Sequence, residues 1–378
     1  MDTEIGAAAA AIGERAEREL EVLVGISSPS GDVAGAEEAI AACVSFLPEG
    51  ADVERLGCST PGSADDLLVR LRGSGTGRLL LLGHLDTVIG HEAHHPLRRD
   101  GELLYGPGTS DMKGGVALSL GVARWLADRP ELFEEAALLL VVDEEWRTAP
   151  LLHVERFAGY DACLCFEAGE RTKEGHDGVV VRRKAAGTLR VRATGQAAHS
   201  GSLPHLGRNA LLALAHAAIE VAAVADPDGP DRLTVVPTVM RSGEAVNVVP
   251  DAGELVFDMR SRDARRFESV VAAVPSEIGG ATLTAVMERV WPAMDSEQVT
   301  ASLLAGAGER LGRPIIARSR GGASDASHFA PAIPLTVDGL GPLGLGAHTP
   351  EEFVWAPSLR ARAEVALALV AQSLDQGP

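Results

Sequence analysis

The chain has 378 residues, 46% hydrophobic and 23% charged, and its 53 acidic against 34 Lys and Arg side chains leave a net charge of −19. That balance argues against nucleic acid or an anionic membrane as a partner, and the length exceeds one ordinary core, so two domains are expected. Four cysteines (Cys43, Cys58, Cys163, Cys165) are too few for a disulfide scaffold, and Asp2 and Glu4 precede an alanine run without any basic leader. Neither a signal peptide nor a membrane span is expected, which makes the cytoplasm the expected compartment.

Residues 36–47 have helical spacing, and LLVRL (67–71) and LLLLG (79–83) read as strands. A long helix is expected over 111–128, followed by strands over 137–145 and 162–169. Strands alternating with helices predict an α/β layer on a mostly parallel sheet. From about 179 the pattern changes to strands at 179–184 and 188–195, a helix at 207–224, strands at 233–240 and 254–260, a helix near 264–278 and a strand at 281–289. That β-β-α-β-β-α-β order resembles a ferredoxin-like α+β module. After "WPAMD" (291–295) the α/β pattern resumes through a helix at 297–311, strands near "IIARS" and "IPLTVDGL", and a last helix around 357–374. The expected organisation is therefore a discontinuous domain, 1–178 with 291–378, interrupted by an inserted module at 179–290.

Polar residues with metal-binding chemistry recur where the apolar runs end. The leucines of "LLLLGHLDTV" end in His84 and Asp86, an i, i+2 pair on one side of extended chain, so the aspartate can hold the imidazole in one tautomer. A surface turn with a satisfied histidine is the plain alternative. Asp111 follows the tight "YGPG" loop at the start of a helix, where an N-cap would also explain it. Asp143, Glu144 and Glu145 end a strand as three adjacent carboxylates, whose repulsion calls for a cation. Glu167 ends another strand, and His348 sits in a Gly-rich loop. Two imidazoles and three carboxylates fit zinc and can serve two ions if one carboxylate bridges. One of the paired glutamates is then a ligand, and the other is free to act as general base.

The motifs "SPSGD", "GHLDTV", "YGPGTSDMKGG", "DEE", "CFEAG", "RRKAAGTLRVRATGQAAHSG", "GRNAL", "NVVPD", "GGASDA" and "GAHTPEE" span nearly the whole chain. Together they resemble the M20 family of co-catalytic zinc peptidases and amidohydrolases, most of all its glutamate carboxypeptidase branch, with acetylornithine deacetylase and succinyl-diaminopimelate desuccinylase as relatives. The resemblance implies two Zn²⁺ per chain, with Co²⁺ or Mn²⁺ as alternatives. It implies that His84 and Glu167 bind one ion, Glu145 and His348 the other, and that Asp111 bridges. Asp86 is then the residue that orients His84, and Glu144 the general base. The family's inserted domain is a lid that also forms a homodimer. By the same resemblance His199 supports the oxyanion in the partner's active site, and Asn247 and Arg260 face a small peptide or N-acyl amino acid substrate.

Two other motifs are discounted. "HEAHH" (91–95) matches the H-E-x-x-H zincin pattern, but Gly90 and Pro96 bracket it and no amphipathic helix surrounds it. "GLGPLG" (339–344) matches G-x-G-x-x-G, but no helix is expected after its glycines. One departure from the family stands out: Trp146-Arg147-Thr148 follows the paired glutamates where a small residue and glycine are common, and is expected to reshape a wall of the pocket. The expected activity is cleavage of an amide bond beside a free carboxylate, by a carboxypeptidase or alternatively an N-acyl amino acid deacylase. A silent binding homologue would lack a ligand or the base, and here all six positions are filled.

Overall fold

Leu79, Leu80, Leu81 and Leu82 are each at most 1% exposed, and the strand that carries them, Arg78–His84, lies in the interior of a six-stranded sheet. In the computed structural model, which describes residues 3–376, this sheet runs in the order Asp52–Leu56, Asp66–Arg72, Glu135–Val141, Arg78–His84, Ala162–Cys165, Leu335–Val337. The last four strands are mutually parallel, whereas Asp66–Arg72 pairs antiparallel with Glu135–Val141 and Asp52–Leu56 antiparallel with Asp66–Arg72. The sheet is mixed, and the antiparallel strand Asp66–Arg72 buries Leu67, Leu68 and Val69 as fully as the parallel strands bury their leucines. A strand covered on both faces has no reason to alternate polar and apolar residues. Truncating one of these leucines to alanine costs about 2–5 kcal/mol.

The helix Lys113–Ala127 connects the parallel strands Arg78–His84 and Glu135–Val141 and packs on both. It starts two residues later than the pattern suggested. Gly115 lets it come close, since a Cβ there would stand 1.8 Å from the Phe166 carbonyl oxygen. Helix Thr3–Gly25, which the sequence reading left unassigned, packs on Lys113–Ala127 and on Ala356–Gln376. Its buried Ile5, Ala9, Ile12, Ala16, Leu20 and Leu23 recur at spacings of three and four. Glu4 lies in its first turn, and Asp2 is outside the described residues. Among the described residues no helix is long and apolar enough to cross a membrane.

The described residues separate into two compact units, the second comprising Arg183–Met294 with Gly321–Ala323 and the first everything else. The second unit is an antiparallel sheet in the order Thr234–Ser242, Ala252–Ser261, Ala185–Thr194, Ala281–Trp291, Glu277–Ile278. Helices Ala210–Ala222 and Arg266–Ala272 accompany it, the first capped by Asn209, whose side chain accepts from the Leu212 amide at 3.0 Å.

Several expected boundaries need correction. The strand expected over 179–184 runs over Asp177–Arg183 and belongs to a different sheet, so the module reads β-α-β-β-α-β with one short extra strand. The helix expected over 264–278 ends at Ala272, and Glu277–Ile278 is extended. Strands expected over 137–145 and 162–169 end at Val141 and Cys165. In both the chain leaves the ladder one buried apolar residue, Val142 or Phe166, before the first acid.

Candidate metal centre

Three neighbouring parallel strands end together at one rim of the sheet. His84 is the last residue of its strand, Glu144 and Glu145 follow the strand Glu135–Val141, and Glu167 follows Ala162–Cys165. Carboxyl ends of parallel strands are where ligands of α/β folds bind, because the connecting helices leave a crevice there. His84 Nε2 stands 3.7 Å from Glu167 Oε1 and 3.1 Å from Asp111 Oδ1. Its Nδ1 faces the Asp86 main-chain oxygen at 3.0 Å and the Asp86 carboxylate at 3.3 Å. That carboxylate also accepts from Ser30 Oγ (2.6 Å) and from the amides of Glu144 and Glu145 (both 3.1 Å). Asp86 thus touches the imidazole and positions the turn that carries the acid pair.

Asp111 reaches the same place from the other direction. It does not cap the following helix: the residue before that helix is Met112, with no side-chain cap, and the Asp111–Met112 peptide is cis. Its carboxylate is turned toward two histidines instead, with Oδ1 toward His84 and Oδ2 3.3 Å from His348 Nε2. His348 Nε2 is also 3.2 Å from Glu145 Oε2. His348 has a φ of 68°, left-handed backbone that costs a non-glycine residue about 1–3 kcal/mol.

The electrostatics explain why such a cluster seeks positive charge. Burial alone would lower the pKa of His84, but hydrogen bonds to Asp111 and Asp86 outweigh it and hold that pKa well above the usual range. His348, hydrogen-bonded to Asp111 and Glu145, is raised to about 10. Burial pushes Glu144 up to about 7, with the neighbouring carboxylates of Glu145, Asp111 and Asp86 adding to it and His84 opposing. Glu167 is raised by burial and by Asp111. Both histidines are thereby held toward the protonated form, whose positive charge offsets the carboxylates as a bound cation would. Imidazole nitrogens and carboxylate oxygens are the ligand types of zinc, so the residues fit such a metal. One donor atom from each of His84, Asp111 and Glu145 lies within 4.8 Å of the others.

The departure at Trp146-Arg147 has a structural explanation. Arg147 is fully buried and donates to Asp143 Oδ1 at 2.7 Å and to Asp325. Asp143 therefore faces a guanidinium and the Thr60 amide (3.0 Å), which relieves the repulsion expected of three adjacent acids. Trp146 is 63% exposed and lies against Gly31. The motifs "GGASDA", "SPSGD" and "GAHTPEE" also carry Asp325, Ser30 and Glu352, whose contacts no local pattern of residues reveals. Glu352 is only 2% exposed and accepts from the amides of Gly108 (3.0 Å), Ser110 (2.5 Å) and Asp111 (2.8 Å). Its signal was an acid just before an apolar strand.

His199, Asn247 and Arg260 belong to the second unit. His199 Nδ1 accepts from the amides of Gly201 and Ser202, both at 3.1 Å, which places the ring proton on Nε2 as a donor. The Asn247 main-chain oxygen accepts from the Ser200 amide at 3.0 Å, and Arg260 forks onto Asp258 at 2.9 and 3.0 Å. In "HEAHH" only a short 3₁₀ turn forms, over His91–Ala93. His91 faces Ser27 and Asp32, while His95 faces the carbonyls of Pro96 and Pro350, so the two do not share a ligand. The glycines at 339–344 lead into the short strand Gly344–Leu345 and have no helix behind them to bind a phosphate.

Imidazoles and carboxylates converging at the ends of parallel strands define the class of a metal-dependent hydrolase. The chain belongs to the peptidase family described as M20/M25/M40, whose model matches residues 80–372. It is 27% identical over 378 residues to carboxypeptidase G2 of Pseudomonas sp. (strain RS-16), covering 93% of this chain and 87% of that one. It is 30% identical over 325 residues to a succinyl-diaminopimelate desuccinylase of Xanthomonas campestris pv. campestris (strain 8004), covering 79% and 84%. A tripeptidase from Staphylococcus aureus shares the fold with a TM-score of 0.79 at 20% identity, over 96% of this chain and 99% of that one. An M20 family metallo-carboxypeptidase from Sulfolobus solfataricus does so with a TM-score of 0.75 at 15% identity, over 95% and 99%. The protein is a hydrolytic enzyme of this family.

Proposed function

We propose that this enzyme is a two-zinc hydrolase that cleaves an amide bond next to a free carboxylate, in the manner of a carboxypeptidase acting on small peptides. The observation that carries this reading is Asp111, whose two carboxylate oxygens face two different histidines. His84 and Glu167 would hold one ion, His348 and Glu145 the other, and Asp111 both. When bound, a pair of zinc ions lowers the pKa of water and polarises a carbonyl. The chain's own part is to orient and to move protons. A carboxylate oxygen of Glu144 takes the proton of the attacking water and passes it to the leaving amine nitrogen. Asp86 keeps His84 and the Glu144–Glu145 turn in position.

His199 is assigned as the Nε2–H donor to the negative charge that develops on the scissile carbonyl, in a homodimer formed through the second unit and across to the partner's site. In this reading that unit is the lid, inserted at 179–290, and Asn247 and Arg260 contact substrate. Among the described residues none of the four cysteines forms a disulfide, which suits a reducing cytoplasm.

The test is a hydrolysis screen of dipeptides and N-acyl amino acids, each ending in a free carboxylate, together with metal analysis. About two divalent ions per chain are expected, with activity lost on chelation and restored by Zn²⁺ or Co²⁺. His91→Ala and His95→Ala should leave metal content unchanged. Full activity of a metal-free preparation overturns the reading. Turnover confined to N-acyl amino acids would make the enzyme a deacylase with the same residues.

A further inference from the structure

Two ligand candidates of this site are held in very different ways. His84 is 1% exposed and fixed by packing at the end of an interior strand, whereas the His348 side chain is 55% exposed and sits in a loop. Packing does little to fix a half-exposed imidazole, so its position depends on the Asp111 and Glu145 carboxylates and on what holds its loop.

The loop is closed at both ends. The amide and hydroxyl of Thr349 donate to the Gly346 oxygen at 3.0 and 2.7 Å, and the Glu352 amide donates to the Thr349 oxygen at 3.2 Å. The Glu352 main-chain oxygen accepts from the Gly106 amide at 2.9 Å. Its side-chain oxygens accept the three amides of the loop that ends in Asp111: Oε2 from Gly108, and Oε1 from Ser110 and Asp111. One residue thereby ties the loop of His348 to the loop of Asp111. The tie is continuous with the strand pairing of Phe353 to Tyr105, which begins one residue beyond Glu352 and ends one residue before Gly106.

We propose that Glu352 is a positioning residue of the metal centre, setting the spacing of Asp111 and His348 before any ion binds. This rests on the two-metal reading above. The chemistry requires two acceptor oxygens. A glutamine has one, and in either orientation its NH₂ would face the amide of Gly108 or those of Ser110 and Asp111, donor against donor. The ligands would remain present in such a variant, but their separation would no longer be preset.

The experiment has two arms on the full-length chain. In the first, Zn²⁺ is titrated by calorimetry into metal-free wild type, Glu352→Gln and Glu351→Gln. The neighbouring Glu351 side chain is 78% exposed and serves as the control. Glu352→Gln is expected to lose about 10–100-fold in affinity, as loss of a residue that orients ligands does, and Glu351→Gln none. Equal affinity of wild type and Glu352→Gln overturns the proposal while leaving the two-metal reading intact, and a wild type that takes up no divalent ion overturns that reading and the proposal with it.

The second arm needs no variant to fold. Hydrogen exchange of metal-free wild type should show the amides of Gly108, Ser110 and Asp111 already protected. If they exchange freely without metal and become protected only with it, the ion orders the loop and Glu352 does not.

Discussion

The carboxylate of Asp86 accepts the backbone amide of Glu144 at 3.1 Å although 58 residues separate them. Through this contact and its twin to the Glu145 amide, the residue that orients His84 also fixes the turn bearing both glutamates. Asp86→Asn keeps the size of the side chain but has one acceptor oxygen for donors that now use two. Metal affinity and kcat/KM should each fall by about 10–100-fold. A variant with wild-type metal affinity would show that the Asp86 main-chain oxygen is sufficient to orient His84.

The adjacent glutamates should separate cleanly by function. Glu144→Gln cannot take a proton and should lower kcat by at least about 10²–10⁴-fold with metal content intact. Glu145→Gln should lower metal content, because Glu145 is the member of the pair beside His348. Metal analysis alongside steady-state kinetics distinguishes them, and the opposite pattern would exchange their roles.

His199→Ala should lower kcat by about 10²–10³-fold and still bind metal, as loss of one oriented donor does. Mixing it with Glu144→Gln under subunit exchange gives heterodimers in which one site combines an intact base with an intact His199 of the partner subunit. Activity should recover to about a quarter of the wild-type total, since half of statistically mixed dimers hold one intact site of two. Heterodimers without recovered activity would place His199 in its own chain's site or outside catalysis.

Asp66 makes stability depend on pH. It is fully buried, and burial, with the nearby Asp143 carboxylate, pushes its pKa from 3.8 to about 8. A raised carboxyl favours the protonated fold, so its stabilising effect is complete below about pH 4 and is lost as pH rises toward 8. Asp66→Asn keeps an acceptor for the Val142 amide, which now donates to Asp66 Oδ1 at 3.2 Å. Its stability relative to wild type should increase across that window, by up to about 1.4 kcal/mol per pH unit. Denaturation at pH 5, 6, 7 and 8 measures the difference, and one independent of pH would mean Asp66 is ionised throughout.

The residue types at the ends of the apolar runs were legible from sequence, because a strand buried on both faces is uniformly apolar and a polar residue marks where it stops. His84, the 143–145 acids and Glu167 could therefore be found by reading along the chain. Helix Thr3–Gly25 was missed although its buried residues have helical spacing, since alanines carry little contrast between faces.

Pairing was decided only by the tertiary structure. Taken alone Asp111 read more readily as a helix cap, and only the approach of His84 and His348 to its two oxygens shows otherwise. Arg147 meets Asp325 across 178 residues, and Glu352 meets the Asp111 amide across 241. Periodicity states which face a side chain occupies, but its partner depends on the order of the strands in the sheet and on the loops that cross their ends. Those are set by long-range packing, and no local pattern of residues encodes them.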